Sequence, residues 1–369
     1  MLQHLQLEPF ATPANCAACR TSIRQGSQSF YIASLLLPVE IREPAYAVYA
    51  FCRMADDLID REAGGTAAIH ELGWMLDRIY GGRPGPHFVE RGFADVVSAF
   101  AIPRAVPEAL IEGMAWDAAG KRYDTLDDLT AYAVRVAGTV GFMMTLVMDR
   151  RDPQVLARAC DLGVAMQLTN IARDIGEDAG NGRLYMPVSW LRETGIDPEA
   201  WMASPRYLPE IRSVVDRLLV EADRLYLRSL SGIAALPGSC RVGINVARLL
   251  YRGIGRQIAN GVNPVTSRAV TTWPQKLRLV GEAIASPVAD RTGLAEPAVA
   301  QATFLIDAVA AMPAPRRAPT LPPWWDVKSR SIRMIQLLDG FSARAAAVET
   351  ANRNRPLLIR HESKFESGK

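Results

Sequence analysis

Residues 167–187 read QLTNIARDIGEDAGNGRLYMP. Leu168, Ile171, Ala172 and Ile175 recur at helical spacing and form one apolar stripe. Asn170, Asp174 and Asp178 are each four apart, which stacks an amide and two carboxylates on one helix face, one turn after another. Glu177 flanks them, and Gln167 lies one turn before Asn170 or Ile171. Ionised carboxylates at this spacing repel each other unless positive charge stands between them. A solvated acidic face, with Arg173 and Arg183 as surface partners, is the ordinary use of such a pattern. Here the pattern sits between the apolar runs 160–168 and 184–187, where water is scarce.

A second stretch repeats the theme. Residues 45–60 read AYAVYAFCRMADDLID, a helix expected to start at Pro44 because proline suits a first turn. Ala47, Ala50, Phe51 and Met54 form the buried stripe, and Asp56, Asp57 and Asp60 follow it. Asp56 and Asp60 are again four apart, with Arg53 one turn ahead. Two helices thus close an apolar run with D-x-x-x-D and a nearby arginine. Placed opposite each other across a cavity, they would offer hard oxygen ligands that suit Mg²⁺ or Mn²⁺, ions that bind through few carboxylates plus substrate phosphates. Opposed acidic rims with arginines describe a site for diphosphate held through metal ions.

The rest of the chain reads as helix with turns between. Residues 1–21 look like a loose leader. Ser27 and Ser29 precede a short helix over 30–37, as N-caps or as anion contacts at a helix N-terminus. Helices are expected over 67–80, 105–119, 126–148, 207–233, 240–260 and 276–286. The 126–148 helix carries Tyr132 and then VAGTVG (136–141), where two glycines and β-branched residues should weaken it. That weakness fits either a kink for packing or a close approach of a long apolar ligand to backbone. The 240–260 helix carries Arg241, Asn245, Arg248 and Tyr251, and the irregular 265–272 stretch carries Arg268. A catalytic domain is expected over 22–295. An extension follows over 296–369, with a proline-rich loop (313–323) and a terminal helix (327–350).

Composition narrows the function classes. The chain has 369 residues, 49% of them hydrophobic, enough for a large core. A net charge of +3 points away from nucleic acid as a partner. Five scattered cysteines fit reduced thiols in the cytoplasm, and Cys16-x-x-Cys19, with no second pair and no nearby histidine, does not make a zinc site. Four histidines outside any motif weigh against imidazole nucleophilic chemistry and against a histidine-rich metallohydrolase. No uninterrupted run of eighteen apolar residues marks a membrane span.

The combination of Ser27-x-Ser29-Phe30, CRMADDLID (52–60), YAVRVAGTVG (132–141), the 167–187 stretch and GINVARLLY (243–251) resembles the squalene/phytoene synthase family, in order and over roughly residues 22–290. RDIGED-x-x-x-GRLYMP and PVTSRAV (264–270) look most like the bacterial phytoene branch. The resemblance implies an all-α isoprenoid-synthase fold, a helical bundle around a central cavity. It implies head-to-head condensation of two geranylgeranyl diphosphates through prephytoene diphosphate, using Mg²⁺ (Mn²⁺ as the alternative) and no NADPH. By position, Asp56, Asp60, Asp174 and Asp178, with Asn170, match the metal site. Ser27, Ser29, Arg53, Gln167, Arg173 and Arg268 match diphosphate contacts, and Tyr132 and Tyr251 match residues lining the same region.

Two other readings stand beside this one. A squalene or dehydrosqualene synthase would run the same chemistry on farnesyl diphosphate. A non-catalytic helical scaffold of the same fold would have no use for clustered carboxylates. Because substrate and product are so apolar, reversible contact with the inner face of the cytoplasmic membrane is also expected, through Trp324-Trp325 and the arginines of 300–350.

Overall fold

The computed structural model describes residues 9–59 and 65–313. Every regular element among them is helical: α1 (Pro13–Gly26), α2 (Gln28–Ser34), α3 (Val39–Ile59), α4 (Gly65–Tyr80), α5 (Phe88–Phe100), α6 (Ala105–Ala118), α7 (Leu126–Ala133), α8 (Thr139–Val147), α9 (Pro153–Gly180), α10 (Val188–Glu193), α11 (Pro198–Ala203), α12 (Pro209–Ala235), α13 (Gly238–Ala259), α14 (Trp273–Ala285) and α15 (Thr303–Ala310). A π-helical segment, Val134–Gly138, joins α7 to α8. α9 is the hub: it packs along α12 and also touches α7, the π segment, α8, α13 and α15. α3 organises the other side, packing on α1, α4, α5, α6 and α8.

Three expectations need correction. From Pro13 the supposed leader is a helix, with a Thr12–Asn15 capping box and Cys19 and Ile23 buried against α3 and α5. α3 starts at Val39 rather than at Pro44, which sits inside the helix. The hydrogen bond Pro44 cannot make would have ended on the carbonyl of Glu40, and Glu40 is exposed, so water can take its place. Residue 295 is not a packing boundary, because α15 lies against α6 and α9. The proline-rich loop beyond Pro313, the 327–350 helix and Trp324-Trp325 fall outside the described residues.

The weakened stretch in 126–148 is where the π segment forms. Thr139 N–H bonds to Val134 O, five residues back, and Thr139 Oγ1 donates to Arg135 O at 2.5 Å. The packing reading holds, and part of the same stretch faces the central cavity. A Cβ on Gly141 would stand 2.5 Å from Ala159 O, and one on Gly163 would stand 2.4 Å from Ala137 O, so glycine lets this segment and α9 cross at backbone contact. Val136, Ala137, Val140 and Gly141 also line the central cavity. The span Leu126–Val147 is long and apolar enough to cross a membrane by composition, which the sequence reading did not anticipate because Arg135 and the glycines break the apolar run. It is packed among α3, α6 and α9 as a core element.

Candidate active site

The cavity has a volume of about 300 Å³ and runs along α9. Its walls come from α2, α3, the π segment, α8, α9, α12 and α13, and most of its lining is hydrocarbon: Phe30, Leu37, Val48, Met144, Leu162 and Ile244 are representative. Five of its polar side chains stand toward the acidic motifs. Gln167 and Asn170 face the cavity from α9, Tyr49 and Cys52 from α3, and Tyr251 from α13. Asp174 follows Asn170 by one turn and Asp56 follows Cys52 by one turn, so the two acidic motifs flank the same end of one cavity.

The α9 motif is half-buried. Asp174 accepts two bonds from Arg173, at 2.8 and 2.5 Å, and its side chain is only 14% exposed. Burial works against the charge on Arg173, and the bond to Asp174 together with the attraction of Asp174 and Glu177 outweighs it, so the guanidinium is held above its usual range. Arg268 reaches Asp174 at 3.1 Å and Glu177 at 3.5 Å from the loop after α13. That loop is seated by Gly176: its N–H bonds to Pro264 O at 3.3 Å, and a Cβ there would meet Val265 O at 2.3 Å. Burial first, and then the neighbouring Asp174 carboxylate, push Asp178 up to about 8.

Asn170 Oδ1 is buried without a hydrogen-bond partner. An orphaned carbonyl oxygen beside two crowded carboxylates is the donor set a hard divalent cation completes, and it fits Mg²⁺ or Mn²⁺. Asn170, Asp174 and Asp178 would hold it; among the described residues no three carboxylates stand close enough to share one ion, so Asp56 on α3 is not a ligand to the same ion in this structure. Asp60, the fifth ligand in the sequence reading, lies outside the described residues. The α3 motif is more open: Arg53 pairs with Asp57 at 2.8 Å and stands 3.7 Å from Asp56, with all three side chains about half exposed.

The remaining candidates divide. Tyr251 stacks on Phe30 with ring centroids 5.0 Å apart, hydrogen-bonds with Ser27, and is pushed up to about 12, chiefly by burial. Ser27 also caps α2, accepting from Phe30 N–H at 3.3 Å. Ser29 is half-buried and outside the cavity lining. Tyr132 does not line the cavity either. It is a core residue whose hydroxyl donates to Asp117 at 2.6 Å, beside Tyr185, which donates to the other Asp117 oxygen at 2.9 Å. Asp117 adds to the negative field that raises Asp178, and Tyr132 meets the acidic end only as a hydrogen-bond partner of Asp117. Sequence reasoning missed Asp117, Tyr185 and Gly176. Only the LYMP after the acidic helix hinted at Tyr185.

The model of the family described as squalene/phytoene synthase matches residues 23–276. The chain belongs to that family. Its relatives include the phytoene synthase of Cereibacter sphaeroides, 52% identical over 73% of this chain and 79% of the relative, and that of Rhodobacter capsulatus, 50% identical over 75% and 83%. The 15-cis-phytoene synthase of a Paracoccus species is 41% identical over 70% and 88%. Among solved structures, a dehydrosqualene synthase superposes with a TM-score of 0.67 at 30% identity, covering 74% of this chain and 96% of that one. The fold is therefore the isoprenoid-synthase bundle, and the protein is a prenyltransferase acting on prenyl diphosphate. The distribution of charge fits that chemistry, with acid and arginine at one end of a hydrocarbon-walled cavity.

Proposed function

We propose that this chain is a phytoene synthase. It joins two molecules of geranylgeranyl diphosphate head to head through a cyclopropyl diphosphate, with Mg²⁺ (or Mn²⁺) and without a nicotinamide reductant. The observation that carries the reading is one cavity with Asn170, Asp174, Asp178 and their arginines at its mouth and mostly hydrocarbon along the rest of its walls. The relatives' names favour the longer substrate over farnesyl diphosphate.

A divalent cation, when bound, neutralises charge developing on the leaving diphosphate, worth several kcal/mol of barrier. The chain's own residues supply the rest. Arg53, Arg173 and Arg268 offer fixed positive charge beside the carboxylates, so the diphosphates are held at the rim. Tyr251 keeps its proton and can donate a hydrogen bond to a phosphate oxygen from inside the cavity. Breaking the C1–O bond of one substrate leaves an allylic cation, and the double bond of the second attacks it. Loss of a proton closes the cyclopropane. A second ionisation, rearrangement and proton loss then give phytoene. The walls are mostly hydrocarbon and exclude water from the cation, burial keeps the Cys52 thiol protonated, and the rings of Phe30 and Tyr251 can face the positive charge.

Purified protein incubated with geranylgeranyl diphosphate, or separately with farnesyl diphosphate, plus Mg²⁺ and no reductant, tests this by mass spectrometry of the hydrocarbon extract. Phytoene from the longer substrate is expected. Dehydrosqualene from the shorter one alone would keep the chemistry and replace the substrate.

A further inference from the structure

An arginine stands in the wall near the far end of the cavity, with Val155 one turn beyond it. Arg158 lies on α9 twelve residues before Asn170, about 18 Å away at 1.5 Å per residue. It lines the cavity and has no solvent exposure. Its guanidinium points away from the hydrocarbon: Nη1 donates to Gly293 O and Nη2 to Pro297 O, each at 3.1 Å, and Nε stands 2.8 Å from Asp161 Oδ2. Asp161 is equally buried and accepts a second bond from Arg228 Nε at 3.1 Å, and Arg228 Nη2 donates to Pro297 O at 2.6 Å. On the α12 side, a Cβ on Gly232 would fall 2.2 Å from Arg158 Cβ, so only glycine leaves room for the arginine stem.

Stability alone does not account for this cluster, since well-packed apolar residues usually serve a core at least as well as a buried ion pair. What the cluster supplies is a fixed, directional anchor. Two arginines clamp the carbonyls of residues 293–297, a segment beyond the 23–276 region matched by the family model, behind the end of the cavity. We infer that the Arg158 stem, backed by residues 293–297, holds the wall near the far end of the hydrocarbon cavity rigid and so sets the longest prenyl chain the site accepts. This rests on the prenyl diphosphate reading above, in which the diphosphates occupy the Asn170 end and the tails run toward Arg158. One isoprene unit too many would have to push aside the Arg158 stem, which its guanidinium's bonds to Asp161, Gly293 O and Pro297 O hold in place. One unit too few would leave apolar wall without contact.

The test measures binding of unreactive thiolodiphosphate analogues with fifteen, twenty and twenty-five carbons by calorimetry, beside turnover of the matching substrates. The wild type should prefer the twenty-carbon analogue over the twenty-five-carbon one by about tenfold or more, the size of effect a pocket floor produces. Arg158→Ala should reduce that preference to about threefold or less while keeping twenty-carbon affinity within about threefold. Ala159→Leu, which narrows the same end and leaves the ion pairs intact, should shift preference toward fifteen carbons. A folded Arg158→Ala protein with an unchanged order of preference would overturn the inference. If that variant does not fold, an unchanged order in Ala159→Leu overturns it. A wild type that discriminates among the analogues yet forms no hydrocarbon would refute the proposed reaction and leave the inference standing. A wild type that binds none of them would refute both.

Discussion

The two acidic motifs share a spelling and differ in setting. On α3, Asp56 and Asp57 are 52% and 50% exposed and share Arg53. On α9, Asp174 is 14% exposed, is held by two arginines, and has in Asp178 a neighbour pushed up to about 8. Water screens the first pair, so its charges cost little and gain little from a partner. The second group has lost much of that screening, and a cation relieves the crowding directly. Cation and diphosphate binding should therefore depend more steeply on α9 than on the described part of α3.

The largest expected effect is at Asp174. Asp174→Asn should keep the fold, seen as an unchanged circular dichroism spectrum, and lower turnover by about a thousandfold, roughly 4 kcal/mol of barrier. Normal steady-state activity of that variant at low Mg²⁺ would remove the assignment of the site.

Next comes the pH dependence set by Asp178. In the metal-free protein its pKa lies above the unfolded value, so its contribution to stability is full at acid pH and is lost as pH rises through about 8. Cation binding wants the ionised form, so Mg²⁺ affinity should rise about tenfold or more between pH 6.5 and 8.5 with release of a proton. Calorimetry in buffers of different ionisation enthalpy reads that proton, and a pH-independent Mg²⁺ affinity would contradict the buried picture of α9.

Gly176→Ala probes the clamp that α9 has through Arg268. Lifting the 264–268 loop should raise KM about tenfold, the cost of losing one charge-assisted contact, with little change in melting temperature. An unchanged KM would show that Arg268 is not needed on Asp174. The smallest effect belongs to Asp57→Asn, where an exposed pair with Arg53 is worth about 0–1 kcal/mol. A loss there approaching that of Asp174→Asn would erase the contrast between the two helices.

The acidic face of α9 was legible because residues four apart on a helix share a face whatever surrounds them. Helix existence was legible for the same reason, from the apolar stripes of 45–60 and 167–175. The π segment was half legible, as a weak point in 126–148, because glycine and β-branched residues lower helix stability locally. The helical start at Pro13 was missed because α1 has a weak apolar stripe and is held by α3 and α5. Tyr132 was placed at the site and lies outside the cavity lining, bonded to Asp117. The two residues are fifteen apart on different helices, and no local spacing couples them.

Short-range pattern thus decided the helical class, the register of the carboxylates and the family, since each depends on residues within a few turns of one another. Tertiary packing decided how deep the cavity runs, which of two like-spelled motifs loses its water, and which residue stands at the far wall. Those outcomes depend on burial, and burial is set by what the rest of the chain brings up against a side chain: Arg268 against Asp174 from 94 residues away, and the carbonyls of Gly293 and Pro297 against Arg158 from 135 and 139 residues away.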